Sequence, residues 1–358
     1  MRKPNTLRRK EIPNRFVLIS LLAFLGFALI LAGCSNAPGA GNSNDEPEPI
    51  IEETFLLGTL VTVRVHEWDS DLDIESVIEQ SLKVMEDAGN VVSVYHPDSD
   101  ISAVNSGGGQ PITVSPEIFE LLEIALEVSK LTEGSLDPTI GPVVEAWGFY
   151  TDDRRIPDDD EIERALELVG HDRIEINKAD RTVTISDGMK LDLEALAKGY
   201  AGRLAVEFLA DQGVTSALIS AGQSSIEALG DGPGGRAWRV GLLDPRQRDK
   251  VYAVVELYAG EALSTSGDTQ RYFEVDGQRF SHILDPRTGW PAQTMQTITI
   301  VTSDSVVADA LSTGLFVLEP TDALDRVEQM PDVEAILVTS DGEIMSTSGM
   351  DSRVTIQE

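Results

Sequence analysis

Four short stretches of this sequence combine residue types that chemistry uses. In SVVADALSTGLFVLE, residues 305–319, an acid and a hydroxyl, Asp309 and Thr313, stand four apart in an otherwise apolar run. On a helix that spacing places both oxygens on one face. A carboxylate in apolar surroundings is costly unless it is paired or bound to a cation. Carboxylate plus hydroxyl is hard-oxygen ligation, suited to Mg2+ with water or phosphate completing the shell. For an isolated Asp-x-x-x-Thr the competing assignment, a solvated or salt-bridged acid beside a threonine bonded to its own helix, would prevail.

In SHILDPRTGWP, residues 281–291, the chain places one of its four histidines, His282, just before an acid and an arginine. Imidazole can carry a proton near neutral pH, and the planar fork of Arg287 suits anionic oxygens. The competing role is a structural histidine hydrogen-bonded inside a turn. In LDLEALAKGYA, Asp192 is placed to cap the helix that follows. Lys198, among small apolar residues, is either a grip for a phosphate or ring carbonyl or a plain surface lysine. The prolines and glycines of LTEGSLDPTIGP make a rigid turn carrying Ser135, Leu136 and Asp137, which suits ligand contact and ordinary loop geometry equally.

The elements that must position these residues are legible from periodicity. A strand is expected over 54–67 and a helix over most of 73–95. An amphipathic helix starts at Ser115-Pro116 and ends near Gly134. Another helical stretch spans 158–170, and two short strands, 173–179 and 182–188, flank a tight turn. A helix over 193–213 has Gly213 as its stop. Beyond it strands dominate, at 216–222, 238–245, 251–260, 262–268, 271–277 and 296–303, then at 334–340 and 342–349 after the helix of 305–319. The glycine cluster GDGPGG at 230–235 has no helix after it and reads as a hairpin loop rather than a phosphate cradle. Segregated strands and helices give α+β, as one large mixed domain of two intimately joined lobes with antiparallel or mixed sheets and flanking helices.

The first residues bear on the address. Six basic residues between Arg2 and Arg15 lead into an apolar run from Phe16 to Ala32, the pattern of a signal peptide over 1–33. Leu31-Ala32-Gly33-Cys34 resembles the lipobox of bacterial lipoproteins, with Cys34 as the lipidated residue; an uncleaved membrane anchor is the competing reading. Cys34 is the chain's one cysteine, which excludes an internal disulfide and a thiolate zinc site. Residues 34–52 are rich in Pro, Gly, Ser and acids and read as a flexible tether, leaving 53–356 as the catalytic domain. Loss of residues 1–33 would remove six basic residues and one acid from totals of 28 and 61, leaving a net charge of −38. Nucleic acid is excluded as a partner on that charge, and an anionic substrate needs a metal or a local basic cluster to reverse the field.

Taken in order, FLLGTLVTV, SVYHPDSDISAVN, TEGSLDPTIGPVVEAWGF, LDLEALAKGYA, LSTSGDTQRYF, SHILDPRTGWP and VADALSTGLFVL resemble the bacterial FAD:protein FMN transferases, the ApbE-type flavin transferase lipoproteins. The resemblance implies an ApbE-like, T-fold-related α+β domain. It implies a transferase that uses Mg2+ or Mn2+ to cleave FAD and move FMN onto a threonine or serine hydroxyl, releasing AMP. The target would be a flavoprotein subunit of an extracytoplasmic redox complex. It further implies metal ligation by Asp309, Thr313 and the backbone carbonyl of Ala195, and FAD contacts at Leu57, Tyr95, Ser135, Leu136, Asp137, Asp192, Lys198 and Ile283. His282 stands where the family carries a histidine proposed to assist catalysis.

Three positions depart from the family pattern: SAGQSS replaces a Gly-Gly-Asn, Glu194 stands where glycine is common, and Arg203 replaces a frequent aspartate. The expected location is outside the cytoplasm, held by lipid at a bacterial membrane. Two other classes compete: a lipoprotein that binds FAD or hydrolyses it to FMN and AMP, and a lipid-anchored solute-binding protein.

Overall fold

In the computed structural model of the protein, residues 48–151 and 153–357 are described. The signal peptide, Cys34 and the tether up to residue 47 therefore lie outside the described residues.

The chain opens with strands β1 (Ile50–Leu56) and β2 (Thr59–Trp68), joined by Leu57 and Gly58. Helices α1 (Ile74–Val92) and α2 (Asp100–Asn105) follow, then β3 (Ile112–Thr113) and α3 (Pro116–Leu131). Next come α4 (Gly141–Ala146), α5 (Asp159–Leu166), β4 (Glu175–Asn177) and β5 (Thr182–Thr184). The long helix α6 (Glu194–Asp211) leads to β6 (Val214–Ala221), β7 (Ser225–Leu229), β8 (Trp238–Leu243), β9 (Val251–Leu257) and β10 (Ala262–Gly267). After the hairpin β11 (Tyr272–Val275) and β12 (Gln278–Ser281) come β13 (Met295–Thr302), α7 (Ser305–Phe316) and α8 (Pro320–Val327). Strands β14 (Glu334–Thr339), β15 (Ile344–Ser346) and β16 (Val354–Ile356) close the described chain.

One eight-stranded sheet, ordered β1-β2-β6-β7-β10-β13-β14-β15, organises everything else, and its ladders are antiparallel. Helices α1, α3, α6 and α7 belong to the core on one face, and the small sheet β16-β9-β8 builds a second core on the other. Covered from both sides, β13 is buried at all eight positions, so MQTITIVT has no solvent face for a polar alternation to mark. The α+β class, antiparallel sheets and flanking helices expected from the sequence are all present. A third cluster packs Trp147, Phe149 and Phe280 between α4, α5 and the β11-β12 hairpin.

Local chemistry explains where the helices begin. Ser115 accepts from the Ile118 N–H ahead of Pro116 at the start of α3, and Asp158 with Glu161 forms a capping box on α5. Asp304 accepts from the N–H groups of Val306 and Val307 and so fixes where α7 starts.

Several expectations need correction. The single strand expected over 54–67 is a hairpin, because Leu57 and Gly58 both take positive φ, 53° and 70°, as a two-residue I′ turn requires. Leucine at the first turn position hides that signal. Strand β1 starts at Ile50, inside the stretch assigned to the tether. GDGPGG makes a tight turn closed by an antiparallel Gly232–Arg236 bridge, but it joins β7 of the large sheet to β8 of the small one rather than two paired strands. Strand β7 and helix α8 are additional to the elements expected from periodicity.

Candidate active site

Where the first turns of α6, the middle of α7, the end of β10 and the loops at 135–138 and 282–286 converge, they enclose a cleft of about 1060 Å3 including its open mouth. It is lined by Tyr95, Ser135, Leu136, Asp137, Asp192, Ala195, Lys198, His282, Ile283, Asp309 and Thr313. Residues spread over more than two hundred positions of sequence thus meet in one place. Leu57 is not among the lining residues: it holds the first position of the β1-β2 turn, with its side chain against Gly89 of α1.

The carboxylate of Asp309 is 3% exposed and anchors the floor. Its Oδ1 accepts from Ser264 Oγ at 2.7 Å and Ser225 Oγ at 3.3 Å, and its Oδ2 accepts from the Gly199 N–H at 3.0 Å. In a regular helix the Gly199 N–H would point at the carbonyl of Ala195, four residues back. Helix α6 reaches α7 because residue 199 has no side chain: a Cβ there would lie 2.2 Å from the Ser305 carbonyl oxygen. The nearest cation, Lys198 Nζ, stands 3.9 Å from Oδ1, beyond hydrogen-bond range. Thr313, one turn along α7, donates to the Asp309 carbonyl and lies 3.3 Å from Ser266 Oγ. The expected shared face is therefore real. A buried carboxylate, a hydroxyl and a helix carbonyl are hard oxygens, and they fit a small divalent cation whose remaining positions substrate or water would fill. Among the described residues no group of three or more His, Cys, Asp or Glu could hold a metal unaided.

On the opposite wall His282 follows β12, and both its backbone N–H and its Nδ1 meet the Arg271 carbonyl, at 3.0 and 3.1 Å. A carbonyl only accepts, so Nδ1 carries the proton and Nε2 keeps its lone pair. Burial, then the charges of Arg271 and Lys198, lower the imidazole pKa to about 3. The ring is a neutral base throughout the physiological range. Its loop is held from outside by Trp147, whose Nε1 donates to the Gly289 carbonyl at 2.7 Å. Gly289 itself is at φ 74°, and a Cβ there would lie 2.6 Å from Ile162.

The Ser135–Asp137 turn is pinned by its own side chains. Ser135 Oγ donates to the Gly314 carbonyl, while Asp137 accepts from Thr139 through Oδ1 and from the His171 N–H and Nδ1 through Oδ2. Asp192 is not the cap expected of it: the N-cap of α6 is Leu193, which has no side-chain cap bond, while Asp192 Oδ1 accepts from the Glu194 N–H two residues on and Oδ2 accepts from Tyr150 OH at 2.6 Å. Burial pushes the Asp192 carboxyl upward, and burial together with the Asp192 charge does the same to Glu194. The Tyr150 phenol is raised by burial and by that same carboxylate.

One expected contributor is placed elsewhere. Arg287 forks onto Asp285 within its own loop through Nε and Nη2, at 2.8 and 2.7 Å, and does not line the cleft. The arginine that does is Arg271, and Tyr150 reaches Asp192 at the same wall. Their positions in TQRYF and WGFY carry no spacing that marks them; only the fold brings them to the wall.

The sequence model of the ApbE family matches residues 57–337. This chain belongs to the ApbE family. It is 31% identical to a Treponema pallidum protein named FAD:protein FMN transferase, over 84% of this chain and 88% of that one. A Haemophilus influenzae protein of the same name is 30% identical, over 94% and 98%. Among solved structures, the ApbE protein of Thermotoga maritima superposes with TM-score 0.80 at 30% identity, covering 87% of this chain and all of that one. The Pseudomonas stutzeri flavinyl transferase ApbE gives 0.75 at 28% identity, covering 86% and 98%. The resemblance noted in the sequence is thus met by family membership and by fold, and this ApbE-family chain is an enzyme of the transferase class.

Proposed function

We propose that this ApbE-family chain transfers the FMN half of FAD to a threonine or serine hydroxyl of a partner protein, with release of AMP. The observation that carries the reading is the convergence of Asp309, Thr313 and Ala195 with a neutral His282 in one cleft. Lys198 and Arg271 supply cationic side chains in a chain of net charge −33. Phosphoryl transfer to a hydroxyl needs positioning and charge neutralisation more than covalent help from the enzyme.

In this reading the acceptor oxygen bonds to the flavin-side phosphorus as the bond from that phosphorus to the bridging oxygen breaks, and AMP departs. The hydroxyl proton goes to Nε2 of His282, which the Arg271 carbonyl orients through Nδ1. Lys198 and Arg271 meet the phosphate charges. Asp309, Thr313 and the Ala195 carbonyl would hold Mg2+, with Mn2+ as the substitute, and a bound ion supplies Lewis-acid neutralisation of the diphosphate. Tyr95, Ile283 and the Ser135–Asp137 turn would contact the dinucleotide.

The anchor belongs to the same proposal: cleavage before Cys34 and its lipidation would place the enzyme outside the cytoplasm, beside a flavin-carrying subunit of a membrane redox complex. Incubation of the protein with FAD, Mg2+ and a candidate acceptor, followed by in-gel flavin fluorescence and mass spectrometry of the acceptor, tests the activity. FMN and AMP formed with no labelled acceptor would establish hydrolysis instead.

A further inference from the structure

One ion pair links two walls of the cleft. Glu194 opens α6 and Arg271 precedes β11, and across 77 positions of sequence Nη2 of the arginine lies 3.3 Å from Oε2 of the glutamate. Both line the cleft. The ion pair is loose beside other arginine pairs of the molecule: Arg246 forks onto Asp268 with two bonds of 2.7 Å, whereas Arg271 meets Glu194 through one bond of 3.3 Å and has a second contact with the Tyr95 hydroxyl. A single 3.3 Å bond is a weak hold of Glu194 on the guanidinium.

The charge balance of the cleft gives the pair its meaning. Four carboxylates, Asp137, Asp192, Glu194 and Asp309, line it against two cationic side chains, Lys198 and Arg271. Lys198 faces Asp309, and His282 is neutral. Of the two cations a dianionic ligand can meet there, Lys198 stands beside Asp309 and Arg271 is paired with Glu194. A guanidinium presents parallel N–H donors that match two phosphate oxygens better than the single carboxylate oxygen it now meets.

We propose that Arg271 is a phosphate-gripping residue held in reserve by Glu194, which competes with the incoming diphosphate for the guanidinium. Glu194 then lowers affinity by that competition and by its own repulsion, while Arg271 raises it. Because the Arg271 carbonyl also orients His282, grip on the phosphate and alignment of the base pass through one residue. The proposal rests on the reading of FAD as substrate.

The test is a double-mutant cycle on the dissociation constant of FAD, with riboflavin, which has no phosphate, as the control ligand. Arg271→Ala keeps the backbone carbonyl and should weaken FAD binding ~10-fold or more, as loss of a charge-assisted contact does. Glu194→Gln should tighten FAD binding ~3-fold or more with Arg271 present, and by much less in the Arg271→Ala background. Riboflavin binding should be the same in all four proteins, and thermal melts should confirm that each is folded. Unchanged FAD affinity in Arg271→Ala, or equal weakening toward FAD and riboflavin, would overturn the proposal, as would Glu194→Gln weakening FAD. Failure of the unsubstituted protein to bind FAD would sink the substrate reading itself, whereas binding that ignores Arg271 sinks this proposal alone.

Discussion

Replacing Asp309 by Asn separates the role of its charge from the role of its shape. Asparagine keeps one acceptor oxygen for the hydroxyls of Ser264 and Ser225 but turns an NH2 toward the Gly199 N–H, which now donates to Oδ2. The loss is one hydrogen bond to a charged acceptor, about 1.5–3 kcal/mol. Against a stability of roughly 5–15 kcal/mol the protein stays folded at 25 °C, with a melting temperature lower by about 3–12 °C. Catalysis should suffer far more. An anionic oxygen ligand to a divalent cation at a transferring phosphate supports about 4 kcal/mol or more of transition-state stabilisation, a loss of ~1000-fold in rate. The assay is the initial rate of FMN transfer across a Mg2+ titration, with a thermal melt and FAD binding measured on the same preparation. A rate within about fivefold of the unsubstituted enzyme at every Mg2+ concentration would refute the assignment of Asp309 to the cation.

His282→Ala should slow transfer by about 100-fold or more while FAD still binds; if binding is lost in parallel, the histidine is architectural. With its pKa lowered to about 3 from 6.5, His282 stays unprotonated as pH falls through 6.5, so the pH profile of kcat/KM should show no acid limb near pH 6–7 that disappears in His282→Gln. Such a limb would contradict the burial and charge argument. In Gly199→Ala the new methyl would meet the Ser305 carbonyl at 2.2 Å and push α6 from α7, costing about 1–3 kcal/mol in a melt and separating Ala195 from Asp309; unchanged stability and transfer would show that the crossing is slack. Trp147→Phe leaves the Gly289 carbonyl without its donor at a cost of about 1–3 kcal/mol, and transfer should fall more than FAD affinity because the loosened loop carries His282. Equal loss of both would place the effect in the fold as a whole.

Features that depend on neighbours along the chain were legible in the residue order. The amphipathic period of 116–131 and the helix-forming runs at 194–211 and 305–316 made those segments helices, and Asp309 and Thr313 shared a face because four positions make about one turn. The motif order along the chain carried the family and, with it, most of the residues that line the cleft. The remainder of the site depends on contacts between distant positions. The donor set of Asp309 includes a glycine N–H 110 positions away and serines 45 and 84 away. Arg287 and Arg271 look alike in the sequence, yet one is spent on Asp285 in its own loop and the other faces Glu194 across the cleft. Tyr150 joins the site through a bond to Asp192 spanning 42 positions. Local pattern reports the energy of a segment with itself, whereas charge pairing and burial in a cleft are set by whichever side chains the packed sheet and helices bring within about 3 Å, where a hydrogen bond forms.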